Sequence, residues 1–209
     1  RPISTRAAIL AGIAILALLS LAPAARAARD PIAAGSTDLH FKKGFLRKLG
    51  NLQIGVVPVG AGSASGNKVG LTVRDGKLDP TDSQGFLDSR GGFNLTRGER
   101  GVPLTQLTVN TVKGAVYAKV AKARMQLGEF TGLTAAREGF GSNFKSPQLR
   151  LTAKAAKRIS NRLGLTDSRR IDGGRVLSNV YASGQPRTVT VLPQGAATLA
   201  LNAATLAKF

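Results

Sequence analysis

The chain offers few side chains that could form a catalytic centre. Its 209 residues include one histidine, His40, and no cysteine. A Ser-His-Asp arrangement would have to use His40, and a thiolate nucleophile or cysteine metal site is excluded. His40 alternates with Leu39 and Phe41, which is the spacing of a strand with one buried apolar side. We predict that His40 points outwards from a strand and that the protein is not an enzyme.

Carboxylates are the remaining candidates for metal binding or acid–base chemistry. Four aspartates lie close together in DGKLDPTDSQGFLD: Asp75, Asp79, Asp82 and Asp88. Such oxygen ligands suit calcium, but the spacing does not match an EF-hand loop, and Asp-Gly and Asp-Pro are common turn sequences. A glycosidase needs two carboxylates facing each other across a cleft. The three glutamates are Glu99, Glu129 and Glu138. We predict no metal site, and a carbohydrate-active hydrolase remains a distant alternative.

Positive charge is the strongest chemical signal in the sequence. The chain has 30 Lys and Arg residues against 11 acidic ones, for a formal net charge of +19, and such a surface attracts polyanions. Stacking aromatics, which nucleic-acid sites usually add, are not interleaved with the basic clusters, so nucleic acid is not an expected physiological partner. An alternative function is therefore a module that associates with an anionic cell-wall polymer or membrane surface. The clustered cations are Lys42, Lys43, Arg47, Lys48, Lys154, Lys157, Arg158 and Arg162.

The first segment has the form of a secretory signal peptide. Residues 1–27 have a basic start, an apolar middle and the ending Ala25-Arg26-Ala27, which is a small-x-small cleavage site. The apolar run is short for a membrane span of about 20 residues, so we favour cleavage over a retained anchor. Residues 28–36 then predict a linker. The protein is expected to be secreted or held in the cell envelope.

One short pattern occurs three times, at residues 39–50, 149–160 and 199–209. In the first copy, Leu39 and Phe41 have strand spacing, and Phe45 and Leu49 then have helical spacing. Each copy therefore predicts a short strand that runs into a short helix. The third copy follows a connector at residues 185–197 that contains Pro and Gly. We interpret residues 198–209 as the start of a second domain, so that the chain is a truncated tandem protein.

The segment between the first two copies has the pattern of a β-sheet protein. Short apolar runs are cut by Gly-rich turns, and we count roughly seven to ten strands at spacings of about 8–12 residues. This spacing is typical of sandwiches and barrels. We predict a mainly β domain over residues 37–184, built as an antiparallel β-sandwich or open barrel with two short strand–helix units.

Three segments carry a further pattern in a fixed order. They are KVGLTVRDGKLDPTDSQGFLDSRGGFNL, VPLTQLTVNTVKGAVYAKV and PQLRLTAKAAKRI. Together they resemble the haem-transport-associated (Htaa) domain of actinobacterial secreted and surface proteins. The resemblance covers about residues 37–184 and implies an exported, β-rich, non-enzymatic domain that in its best-known members binds haem through tyrosine and histidine. The matching positions are Gly76, Asp79, Gly85, Gly91, Gly92, Tyr117, Leu151, Thr152 and Ala153.

The haem donors of the family are not at their usual positions in this chain. The family's histidine lies beside the glycine pair of the central turn, where this chain has SRGG at residues 89–92. Haem iron takes His, Tyr, Met or thiolate ligands. The candidate ligands are therefore His40 and Tyr117, with Met125 and Tyr181 as the other donors of these types. The resemblance makes haem a possible ligand, and the sequence leaves this role open.

We expect export with cleavage after Ala27, because the small side chains at positions 25 and 27 fit the signal-peptidase site. N-terminal sequencing of protein secreted by its host should begin at or near Ala28. An uncut apolar segment recovered in the membrane fraction would instead identify an anchor.

Overall fold

The computed structural model describes residues 29–79 and 81–187, and within them the chain forms twelve strands and two α-helices. Helix α1 spans Lys43–Asn51 and helix α2 spans Ala153–Arg162. A 3-10 turn spans Asp167–Arg169. The strands are β1 Asp30–Phe41, β2 Gly55–Val59, β3 Ser63–Ser65, β4 Lys68–Leu78, β5 Gly85–Arg90, β6 Gly92–Arg97, β7 Arg100–Asn110, β8 Ala115–Val120, β9 Ala123–Thr131, β10 Thr134–Glu138, β11 Gly141–Leu151 and β12 Val176–Pro186.

Eight strands close into an antiparallel barrel. The sheet runs β7-β5-β4-β1-β12-β11-β9-β8, and the pairing of β8 with β7 joins its two ends. At this seam Val109 lies opposite Val116 and Leu104 lies opposite Val120. Each pairing in the ring is antiparallel. Each of the eight strands therefore has a hydrogen-bonded neighbour on both sides, and the ring has no edge strand.

The remaining strands extend this barrel from two long hairpins. Strand β6 continues β5 beyond Gly91, pairs with β7 and accepts β2 on its other side. Strand β10 continues β9 beyond Gly132 and pairs with the first half of β11, whereas β9 pairs with the second half. The β10–β11 hairpin thus projects past β9 and forms a wall beside β11 and β12.

Apolar side chains alternate into the barrel and onto the two helices. Leu39, Leu87, Leu107, Leu127 and Leu149 are fully buried, which is what strand alternation with one apolar face produces. Strands β1 and β11 run in the same direction because each is antiparallel to β12. Since α1 follows β1 and α2 follows β11, both helices lie at the same end of the barrel.

Each helix packs against the barrel through one apolar side. Helix α1 buries Phe45 and Leu49, and the Phe45 ring stacks on Phe41 with centroids 5.9 Å apart. Helix α2 buries Ala155, Ala156 and Ile159. Its N-cap is Thr152, whose hydroxyl oxygen accepts a hydrogen bond from the Ala155 N–H at 3.2 Å and so satisfies a helix-terminal donor. Neither helix of the described residues has the length and apolar content that crossing a membrane requires.

The predicted mainly β, antiparallel class is confirmed, and two strand–helix units occur where the first two pattern copies lie. One boundary is corrected. Residues 30–36, predicted as a linker, form the first half of β1, because Ser36 pairs with both Thr72 of β4 and Ser183 of β12. Strand β12 likewise extends to Pro186, into the predicted connector. The predicted signal peptide at residues 1–27 and the third pattern copy at residues 199–209 lie outside the described residues.

We expect Gly92→Ala to destabilise the barrel. A Cβ atom at Gly92 would lie 2.1 Å from the Leu104 carbonyl oxygen, so β6 and β7 would have to separate at a cost of about 1–3 kcal/mol in the free energy of unfolding. The matched control is Gly44→Ala in α1, where an added Cβ meets nothing within 4 Å and should stabilise by up to about 1 kcal/mol. Chemical denaturation measures both. Equal stability of the Gly92 variant and the parent would refute the close approach of these two strands.

Candidate functional site

The outward side chains of four adjacent strands form a continuous surface. Strand alternation turns Leu39, Val180, Ala182 and Phe144 into the core, and their neighbours in β1, β12, β11 and β10 consequently point outwards. We call this surface the Tyr181 face. It consists of Ser36, Asp38, His40, Asn179, Tyr181, Ser183, Asn143, Lys145, Thr134 and Ala136.

Strand register arranges these side chains in rows across the face. One row contains small residues, with Ser36 opposite Ser183, Ser183 opposite Asn143, and Asn143 opposite Ala136. The next row contains larger ones, with Asp38 opposite Tyr181 and Tyr181 opposite Lys145. The small row and the projecting β10 hairpin leave a groove of about 430 Å³ along Tyr181 and Lys145.

Tyr181 is the centre of the contacts on this face. Its ring lies 4.7 Å from the His40 ring, centroid to centroid, at an interplanar angle of 56°. The Lys145 ammonium lies 5.8 Å from the Tyr181 ring centroid, within the range of a cation–π contact. Asp38, across from Tyr181, forms a 3.0 Å ion pair with Lys68. The face therefore combines a phenol, an imidazole, the ammonium group of Lys145 and a carboxylate that is paired with Lys68.

One polar atom on this face lacks a partner. The side-chain Oδ1 of Asn179, which lies opposite His40, is buried and has no hydrogen-bond partner among the described residues. A buried acceptor without a donor is costly.

The donors on this face suit a planar, anionic, iron-containing ligand. Phenol oxygen and imidazole nitrogen are both ligands that haem iron accepts, and the exposed faces of the two rings offer apolar contact. Lys145 supplies positive charge at this surface, whereas the charge of Lys68 is compensated by Asp38. The side chains present on this face are therefore compatible with haem.

The structure separates the two predicted ligand candidates and gives His40 a different neighbour. His40 is on β1 and half-buried, whereas Tyr117 is on β8, which lies four strands away around the ring. Tyr117 has Lys113 at 6.0 Å from its ring centroid. Tyr181, which the sequence offered without a partner, is the residue that contacts His40. Sequence reasoning missed this contact because it depends on the register between β1 and β12. In this register Leu39 lies opposite Val180, so that their neighbours His40 and Tyr181 come together.

The central turn has a structural role in this chain. Ser89 occupies the segment where the family places a histidine, yet its side chain is buried in the barrel. Its hydroxyl donates a hydrogen bond to the Thr37 hydroxyl oxygen at 3.0 Å. Arg90 follows on the outside, and Gly91 has φ +76°, where β5 passes into β6. This turn therefore places a hydrogen-bonded hydroxyl, not a haem ligand, next to the glycine pair.

The carboxylates hold turns and neighbouring side chains. Asp79 accepts a hydrogen bond from the Thr81 N–H and Asp82 accepts one from the Gln84 N–H, as expected of Asx turns. Glu129 accepts from the Gln126 amide and Glu138 from the Asn143 amide. Within the described part of the chain, no cluster of three or more His, Cys, Asp or Glu residues is arranged to hold a metal ion.

The eight predicted basic residues lie on the two helices and just before α1, at one end of the barrel. Lys43 and Arg47 are exposed on α1, and Lys154, Lys157 and Arg162 are exposed on α2. Lys42, Lys48 and Arg158 are half-buried. This end of the barrel is distinct from the Tyr181 face, which runs along the barrel wall.

A closed antiparallel barrel with a strand–helix unit at two places defines a fold that solved proteins share. The chain matches the crystal structure of the C-terminal domain of HtaA from Corynebacterium glutamicum with a TM-score of 0.56 and 12% sequence identity, over 74% of this chain and 98% of that one. The N-terminal domain of the same protein matches with a TM-score of 0.49 and 12% identity, over 75% and 99%. The predicted Htaa resemblance is confirmed as a remote relationship in fold. The sequence matches no protein-family model and no curated protein.

We expect the His40–Tyr181 contact to be visible in solution. The chain has two tyrosines, and stacking on an imidazole should shift the ring-proton resonances of Tyr181 but not those of Tyr117. In one-dimensional NMR spectra, His40→Ala should therefore move one tyrosine's signals and leave the other's in place. Tyr181→Phe and Tyr117→Phe assign the signals. Unchanged Tyr181 signals in His40→Ala would show that the rings do not touch.

Proposed function

We propose that this protein is a non-catalytic binding domain of the Htaa kind that works outside the cytoplasm, and that its ligand is haem. The observation that carries the proposal is the contact of Tyr181 with His40 beside an open groove. The fold shared with an HtaA domain supports it. The signal-peptide pattern of residues 1–27 supports the location.

Individual side chains have separate roles in the proposed binding of haem. Tyr181 lines the groove, and its phenol oxygen is the proposed iron ligand. His40 orients the Tyr181 ring and offers a hydrogen-bonding nitrogen next to it. Lys145, at the edge of the groove, attracts a carboxylate of the ligand. Bound haem would supply an iron centre that accepts the phenolate oxygen.

The same arrangement favours binding over catalysis. A general acid–base mechanism needs a proton-transferring group within hydrogen-bond reach of a nucleophile or substrate, and the single histidine packs its ring against Tyr181. The glutamates Glu129 and Glu138 are exposed and accept hydrogen bonds from amide side chains. A hydrolase therefore has less support than a carrier or receptor domain.

We expect haemin to bind the purified protein with one-to-one stoichiometry and to give a saturable Soret shift. Tyr181→Phe should abolish the shift, because phenylalanine keeps the ring and removes the donor oxygen. His40→Ala should weaken binding by roughly tenfold, equivalent to about 1.4 kcal/mol. Binding by the parent should persist at high salt, since iron coordination and apolar burial are poorly screened.

The matched control is Tyr117→Phe, which removes the other phenol on the opposite part of the barrel and should leave the titration unchanged. A Soret shift that survives Tyr181→Phe and disappears in Tyr117→Phe would move the site to β8. Absence of saturable binding by the parent would refute haem as the ligand.

A further inference from the structure

A second surface, on α2, has features that the Tyr181 face does not explain. Four cations of this helix, together with Asn161 and with Met125 of β9, line an open groove of about 440 Å³. We call it the α2 groove. Its cations are Lys154, Lys157, Arg158 and Arg162.

The cations of the α2 groove follow helical spacing. Lys154, Arg158 and Arg162 are each four residues apart, so they form a stripe on one side of the helix. At a rise of about 1.5 Å per residue the stripe is about 12 Å long. A stripe of this length can contact more than one anionic group of an extended chain.

Apart from Arg162, which is in the last turn and complements the helix dipole, this charge arrangement is unfavourable for the helix on its own. Like charges four residues apart repel by a few tenths of a kcal/mol per pair, and a cation in the first turn, such as Lys154, opposes the helix dipole. Helix α2 contains no acidic residue. None of the four cations forms an ion pair with a carboxylate of the described residues. An anionic partner would compensate these charges.

One of the cations is already fixed in position. The Arg158 Nε–H donates a hydrogen bond to the Val120 carbonyl oxygen at 3.2 Å, and the side chain is half-buried. This bond anchors the guanidinium and leaves its two terminal nitrogens to bind a phosphate in a fork geometry. Less side-chain entropy is then lost on binding. Arg158 therefore distinguishes the α2 groove from a surface of mobile lysines.

We propose that the α2 groove binds a phosphodiester polymer of the cell envelope, such as a chain of alditol phosphates. Arg158 grips one phosphate, Lys154 and Arg162 contact phosphates on either side, and the half-buried Met125 packs against the carbon backbone between them. This site is separate from the proposed haem site and does not depend on it. It would hold an exported binding domain against the anionic wall.

The test measures binding of purified poly(glycerol phosphate) by isothermal titration calorimetry at physiological salt. The α2 variant K154Q/R158Q/R162Q should bind at least about tenfold more weakly than the parent. The matched control K43Q/R47Q/K48Q removes three positive charges from α1, so its net charge equals that of the α2 variant. The control should bind within about twofold of the parent. Thermal unfolding of each variant shows whether it is still folded. Haemin titration of each variant shows whether the proposed haem site is intact.

A conservative substitution tests the fixed guanidinium. Arg158→Lys keeps the charge and loses the fork and the bond to Val120, so it should weaken polymer binding several-fold more than Arg162→Lys does. Equal losses in the two triple variants would show that only net charge matters and would overturn the proposal. Vesicles of phosphatidylglycerol that bind more tightly than the polymer, with the same dependence on α2, would also overturn it in favour of a membrane surface.

Discussion

The pairing of β7 with β8 is the constraint on which the rest of the structure depends. It joins the two ends of an eight-stranded sheet, so that the sheet has one inner and one outer surface. A shift of one residue in β1 or β12 would exchange the inward and outward side chains of that strand and would bring His40 or Tyr181 into the core. The position of every functional side chain on the barrel wall therefore follows from this closure and from the registers that it enforces.

Two pairs of hydroxyl groups form hydrogen bonds with each other in buried positions. Thr37 and Ser89 share a hydrogen bond, as do Ser83 and Ser142 at 2.9 Å. Each pair links residues far apart in the sequence and satisfies two buried polar groups that would otherwise destabilise the core. In this chain Ser89 serves the interior, whereas the groups available for binding lie outside, on the Tyr181 face and on α2. The fold thus separates packing from binding.

The sequence predicts the strand–helix units well. Within LHFKKGFLRKLG the spacing of hydrophobic residues changes from two, as in a strand, to nearly four, as in a helix. It misses the first half of β1, since Ala33, Ala34 and Gly35 show no alternation, and Ala34 and Gly35 are held by their pairing with Gln185 and Gly184 of β12. The basic residues of α2 are recognisable from composition, but the anchoring of Arg158 by Val120 depends on the packing of α2 onto β8 and is not. The His40–Tyr181 contact is also hidden, because only the register between β1 and β12 brings the two rings together.

Amide chemical-shift mapping with the diamagnetic gallium(III) protoporphyrin IX tests the central claim most directly, namely that the Tyr181 face is the ligand site. The account predicts saturable shifts at residues 36–40, 134–136, 143–145 and 179–183, with the amides of α2 unchanged. Shifts centred on Tyr117 and β8, or a complex whose shifts are confined to the helical end of the barrel, would contradict it.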